Sequence, residues 1–191
     1  IPYIKKFDLQ GMKYLEVDLN FSLDYKNGSP EALERMLENV VEVNVGNSNI
    51  QTLYEDDFFI HLCGHLYKEA TTLPWVEMRR DMTLYKYCDI YLLLHEMTRE
   101  KIHAIFCRAM ELGMAEICCF AILETAELFE KVNPIAVNMA KSYIGTNDDI
   151  LHKVISPKDK KVYRYSETSI SNRFFDWDRK YLLEEDYDAE T

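Results

Sequence analysis

The sequence predicts a mainly α protein of the α+β class: a helical bundle with a short antiparallel β-hairpin near the N-terminus and a candidate strand late in the chain. Three observations predict it. Glycine and proline are scarce, six and five in 191 residues, so the segments between them are long. From Ser29 onward the apolar residues recur at helical spacing. The clearest β-signal, strict alternation over Tyr14–Phe21, lies before that change of period.

Taken in order, Tyr14–Phe21 places Leu15, Val17, Leu19 and Phe21 on one face and Tyr14, Glu16, Asp18 and Asn20 on the other, as in a half-buried strand. Gln10-Gly11 forms the turn to a partner strand at Tyr3–Phe7. Ser29 as N-cap, with Pro30 in the first turn, opens a helix through about Val41. A polar loop at Asn44–Asn49 follows, and Asp56 or Asp57 caps a second helix running to Ala70. Pro74 breaks the chain over Thr71–Trp75, and Asp81 caps a third helix through Met97. The fourth helix, Arg99–Leu112, ends at Gly113; the fifth, Ala115–Val132, stops at Asn133-Pro134; the sixth runs from Pro134 to Tyr143. Asp148–Val154 adds a turn or two. The fifth helix is apolar almost all round, with Glu116, Glu124, Glu127 and Lys131 as its polar stripe, which makes it the expected centre of the bundle. Beyond Ser156-Pro157, Val162–Tyr165 is the candidate late strand, the aromatic stretch from Tyr163 to Tyr181 is expected to pack on the bundle, and Glu184–Thr191 is expected to fray. The chain thus divides into residues 1–25, the hairpin bearing Glu16 and Asp18; 29–155, the bundle; and 156–191, an extension with an acidic tail.

A formal net charge of −11 argues against nucleic-acid or anionic-membrane partners, which require a dense basic surface. No apolar run approaches the roughly 20 residues of a membrane-spanning helix. The five cysteines are odd in number and lie in apolar periodic segments, the pattern of reduced core thiols in a cytoplasmic protein. No GxxxxGK[ST], GxGxxG or GxSxG occurs, so P-loop, Rossmann and α/β-hydrolase chemistry lack support.

Three constellations can carry chemistry. Glu16 and Asp18 project from one strand face about 7 Å apart, close enough to help hold a divalent cation with further oxygen ligands, although an exposed edge strand is often acidic. His61, His65 and Lys68 stack along one face of the second helix, a surface suited to an anion, with Lys68 as a point charge and the imidazoles as hydrogen-bonding groups. The plain alternative is that His61 and His65 are half-buried side chains beside a tight helix contact at Gly64. Asp89, inside the apolar run Tyr87–Leu94, is expected to be partly buried and paired with Lys68, Arg79 or Arg80 as a structural tie.

In combination, Leu15-Glu16-Val17-Asp18-Leu19, then Phe59-Ile60-His61-Leu62-Cys63-Gly64-His65-Leu66-Tyr67-Lys68, then Lys86-Tyr87-Cys88-Asp89-Ile90 resemble the uncharacterised nucleotidyltransferase family of the DNA-polymerase-beta-like superfamily. The resemblance implies a small sheet bearing catalytic carboxylates with a helical part folded against it. It implies Mg²⁺, bound by Glu16 or Asp18 as the third-carboxylate strand, and a nucleoside triphosphate substrate facing His65 and Lys68. The acceptor would be an unidentified small molecule or protein. The superfamily's Gly-Ser turn followed by Asp-x-Asp does not occur in these residues, so the expectation is the largely helical C-terminal portion of a longer enzyme with the dyad upstream of Ile1. The alternatives are a non-catalytic helical interaction domain and a helical metalloenzyme using His61 and His65.

Overall fold

In the computed structural model, residues 2–9, 11–18, 30–146 and 149–187 are described; in the two N-terminal strands the described side chains are those of Ile4, Lys5, Lys6 and Tyr14. The fold is mainly α in an α+β arrangement, with eight α-helices among the described residues.

Strands β1 (Pro2–Leu9) and β2 (Met12–Asp18) form the expected antiparallel hairpin, Lys5 opposite Leu15 and Ile4 opposite Glu16. Gly11 turns it at φ +91°, a conformation that a side chain would strain. Leu19–Ser29, including the expected Ser29 cap, lies outside the described residues.

Helix α1 (Pro30–Leu37) is shorter than its periodicity predicts, because the chain passes into a second hairpin of β3 (Val40–Val45) and β4 (Ser48–Leu53). The expected polar loop is this hairpin's turn, with Gly46 at φ +61°. Alternating Val41, Val43 and Val45 before Gly46-Asn47 is a hairpin signal that competes with the helical pattern ahead of it.

The bundle follows as α2 (Glu55–Ala70), the short α3 (Leu73–Glu77), α4 (Leu84–Glu96), α5 (Arg99–Glu111), α6 (Ala115–Leu128) and α7 (Pro134–Ile144). Pro74 sits in the first turn of α3, where its missing N–H costs nothing, so the predicted break separates two helices. Asn133 shows why Asn-Pro punctuates the chain. Its side-chain oxygen accepts from Ile135 N at 3.1 Å, capping α7, and its Nδ2 donates at 3.1 Å to the carbonyls of Leu94 and Met97 at the end of α4.

As its composition predicts, α6 is central, packing on α2, α4, α5 and α7. Phe59, Ile60, Cys63 and Leu66 from α2, Tyr87 and Ile90 from α4, Ile102 and Ile105 from α5, and Cys118, Cys119 and Phe120 from α6 make the core, which Met36 of α1 joins fully buried.

After a 3₁₀ turn at Asp149–Leu151, the late strand belongs to a three-stranded antiparallel sheet: β5 (Lys153–Ile155), β6 (Val162–Tyr165) and β7 (Leu183–Glu185), with β6 in the middle. Glu184 and Glu185, expected to fray, pair with Arg164 and Tyr163; Lys161 holds Glu185 at 2.7 Å, and Arg164 binds both Asp149 and Asp186. Residues 188–191 lie outside the described residues. Between β6 and β7, α8 (Ile170–Phe175) crosses α6. Phe174 packs on the core as the aromatic stretch predicts, whereas Phe175, Trp177 and Tyr181 are exposed.

Three carboxylates inside this frame are buried with arginines. Asp57 in the first turn of α2 receives Arg108 Nε of α5 at 2.8 Å and Asn39 Nδ2 at 3.1 Å. Asp81, expected as the cap of α4, is instead fully buried and held by both arms of Arg179 at 2.8 and 2.7 Å; α4 begins three residues later behind Thr83. Glu124, on the expected polar stripe of α6, is buried because α8 covers it and supplies Arg173 Nη2 at 3.0 Å.

Candidate functional site

The face of α2 predicted to bind an anion is intact and gains a member from α4. His61 and His65 lie one turn apart with ring centroids 6.4 Å from each other and planes 27° apart, and Lys68 follows on the same face. All three are partly exposed, while the alternate face of α2 is in the core, so helical period alone presents them outward. Gly64 between the histidines is buried.

Two residues that sequence reasoning passed over organise this face. Glu69 is buried at the end of α2; its Oε1 lies 3.0 Å from His65 Nε2, and its Oε2 takes the ammonium of Lys86. Lys86 reaches Glu69 from α4, itself buried, with its ammonium 5.9 Å from the Tyr85 ring. Glu69 was visible only as the residue one turn after His65. Nothing in the local pattern of Tyr85–Leu94 marked Lys86, because its burial depends on how α4 lies against α2.

The electrostatics follow from these contacts. Burial pushes the Glu69 carboxyl up, but hydrogen bonds from His65 and Lys86 and the Lys86 charge outweigh it, leaving the carboxyl below its usual value. Burial, then the neighbouring His65 and Lys68, lowers His61, so His61 stays a neutral ring at physiological pH.

The other predicted residues are placed differently. Glu16 and Asp18 stand two apart on β2, opposite Ile4 and Pro2, so the strand register puts them on one face; their side chains are outside the described set. Two carboxylates in that relation offer the hard oxygen donors that Mg²⁺ takes. Asp89 is exposed on α4, not half-buried, because the apolar face of that helix is carried by Tyr87, Ile90 and Leu94. The buried acid that ties helices here is Glu69. Among the described residues no group of three or more His, Cys, Asp or Glu could hold a metal ion.

The described fold thus joins a strand bearing Glu16 and Asp18 near the N-terminus to a helix face where His61, His65 and Lys68 stand beside the buried Glu69–Lys86 pair. A family model described as an uncharacterised nucleotidyltransferase matches residues 3–130, and the chain belongs to that family. No curated protein and no solved structure matches it. No helix of the described residues is long and apolar enough to cross a membrane.

Proposed function

We propose that this chain takes part in Mg²⁺-dependent transfer of a nucleoside monophosphate from a nucleoside triphosphate to an acceptor, with the nucleotide lying against the α2 face of His65 and Lys68. The observation that carries the reading is that face itself, with His61, His65 and Lys68 aligned and Lys86 anchored behind them, in a chain that belongs to a nucleotidyltransferase family. Lys68 supplies a point charge to the phosphates, and neutral His61 forms an uncharged aromatic wall beside it. Glu16 and Asp18 would hold the metal, which when bound neutralises charge building on the phosphoryl oxygens. Free thiols throughout accord with a cytoplasmic setting.

The test is calorimetric titration of the four ribonucleoside triphosphates into the chain, with and without Mg²⁺. At least one should bind, and Lys68→Ala should weaken that binding about tenfold, the loss of one charge-assisted contact worth about 1.4 kcal/mol. Unchanged affinity in Lys68→Ala would remove the anion role.

A second reading, a protein-interaction domain, is favoured by one specific observation: Phe175, Trp177 and Tyr181 are 84%, 72% and 69% exposed, and Arg79 stacks on Trp177 at 4.9 Å. Aromatic and arginine side chains of this kind anchor interfaces. It predicts no response to any nucleotide.

A further inference from the structure

We propose that His65 is the proton acceptor for a hydroxyl-bearing acceptor molecule, and that Glu69 is the positioning residue that turns its Nδ1 outward. The inference rests on the nucleotidyl-transfer reading above and names the acceptor class within it.

The geometry decides which nitrogen carries the proton. Glu69 Oε1 lies 3.0 Å from His65 Nε2, and a carboxylate only accepts hydrogen bonds, so neutral His65 is held with its hydrogen on Nε2 and its lone pair on Nδ1. A bare ring nitrogen cannot donate to a phosphate oxygen, but it can take a proton from a hydroxyl. His65 therefore differs in role from Lys68 beside it.

Burial makes the arrangement more than a chance surface pair. The side chains of Glu69 and Lys86 are 9% and 8% exposed, while His65 is 43% exposed, so the orienting carboxylate is fixed from within and the base is open to solvent. The contact between His95 and Glu96 has the same 3.0 Å length, but those side chains are 59% and 85% exposed, so that carboxylate stands in solvent. A base oriented by a third group that is itself anchored is the recurring plan of proton-abstracting sites. Here Lys86 is the anchor, delivered by a different helix.

The step balances as follows. The acceptor O–H gives its proton to His65 Nδ1 while the oxygen lone pair forms a bond to the α-phosphorus of the nucleoside triphosphate. The bond from that phosphorus to the oxygen bridging to the β-phosphate breaks, and pyrophosphate leaves with the electron pair. Nothing is oxidised or reduced, and the imidazolium left on His65 faces Glu69.

The first test is long-range ¹H–¹⁵N correlation spectroscopy on histidine-labelled chain, with His65 assigned by loss of its signals in His65→Gln. His65 should show the Nε2–H tautomer, and Glu69→Ala should turn it into a mixture of tautomers while His95 and His103 keep their spectra. An Nδ1–H tautomer in the wild type, or one unmoved by Glu69→Ala, overturns the proposal even where nucleotide binds normally. The second test is affinity and turnover together. His65→Gln should cut turnover by a larger factor than it weakens nucleotide affinity, whereas equal losses in affinity and turnover would make His65 a phosphate ligand and overturn the proposal. Pyrophosphate release with glycerol as the acceptor should be lost in His65→Gly and partly restored by added imidazole. Loss without restoration, or no release by the wild-type chain, overturns the base role. A chain that binds no nucleotide while keeping the Nε2–H tautomer overturns the nucleotide reading, and the chemistry of this proposal with it.

Discussion

At the scale of single residues, the decisive groups are acids that the fold has removed from water. Glu124 is the plainest case. Burial pushes its carboxyl up to about 8, with the Arg173 guanidinium opposing only in part. The folded chain therefore keeps a proton that the unfolded chain releases near pH 4.5, so this group's contribution to stability is complete below about 4.5 and declines as pH rises to about 8. Denaturant melts across that window should show stability falling, and Glu124→Gln should flatten the decline by up to about 1.4 kcal/mol per pH unit. A slope unchanged in Glu124→Gln would assign it to other groups. Glu69 behaves in the opposite sense because it has two donors where Glu124 has one arginine. In the sequence, Glu69, Asp81, Asp89 and Glu124 look alike as acids near apolar runs. Only the first, second and fourth are buried, since burial depends on which element crosses over them.

At the scale of elements, helices with a strong local signal form where their sequence predicts, and the differences occur where tertiary partners intervene. The α5 start is set by Thr98, whose side chain accepts from Lys101 N at 3.3 Å, and α7 by Asn133. Those devices are local and therefore legible. The beginning of α4 is not, because Asp81 is taken from its expected capping role by Arg179, a residue far along the chain. That pair fastens the segment before β7 to the bundle. Arg179→Met strands a buried carboxylate, and urea unfolding should register a loss of about 3–5 kcal/mol. Asp81→Asn with Arg179→Met together should recover much of it, because the uncompensated charge is then gone. A single-variant loss below about 1 kcal/mol would show that the pair is solvated.

At the scale of the whole molecule, one large core centred on α6 and a small one of Val76, Val154 and Tyr165 under the late sheet hold the described fold. The thiols report on the larger core. Cys63, Cys118 and Cys119 are buried, and burial pushes Cys63 well up and Cys119 up to about 12, so neither offers a thiolate at neutral pH. Cys88 and Cys107 are only partly covered. A disulfide-exchange reagent should therefore titrate no more than two thiols in the native chain and five after denaturation. Rapid reaction of a third would mean that α2 and α6 separate readily.

What the amino-acid sequence determined by itself was periodicity and local punctuation: the α+β class, the central helix, the first hairpin, the late strand, the family resemblance and the aligned face of His61, His65 and Lys68. These are encoded within one or two turns of chain, where propensity, capping and spacing act directly. The second hairpin was also written locally, in Val41, Val43 and Val45 before Gly46, but competed with a helical signal on the same stretch. Tertiary structure alone decided that Lys86 of α4 would meet Glu69 of α2, that Asp81 would go to Arg179, and that Asp89 would face solvent. Such contacts join residues brought together by packing, and whether a charge is buried is a property of the neighbours that cover it, not of the residue that bears it.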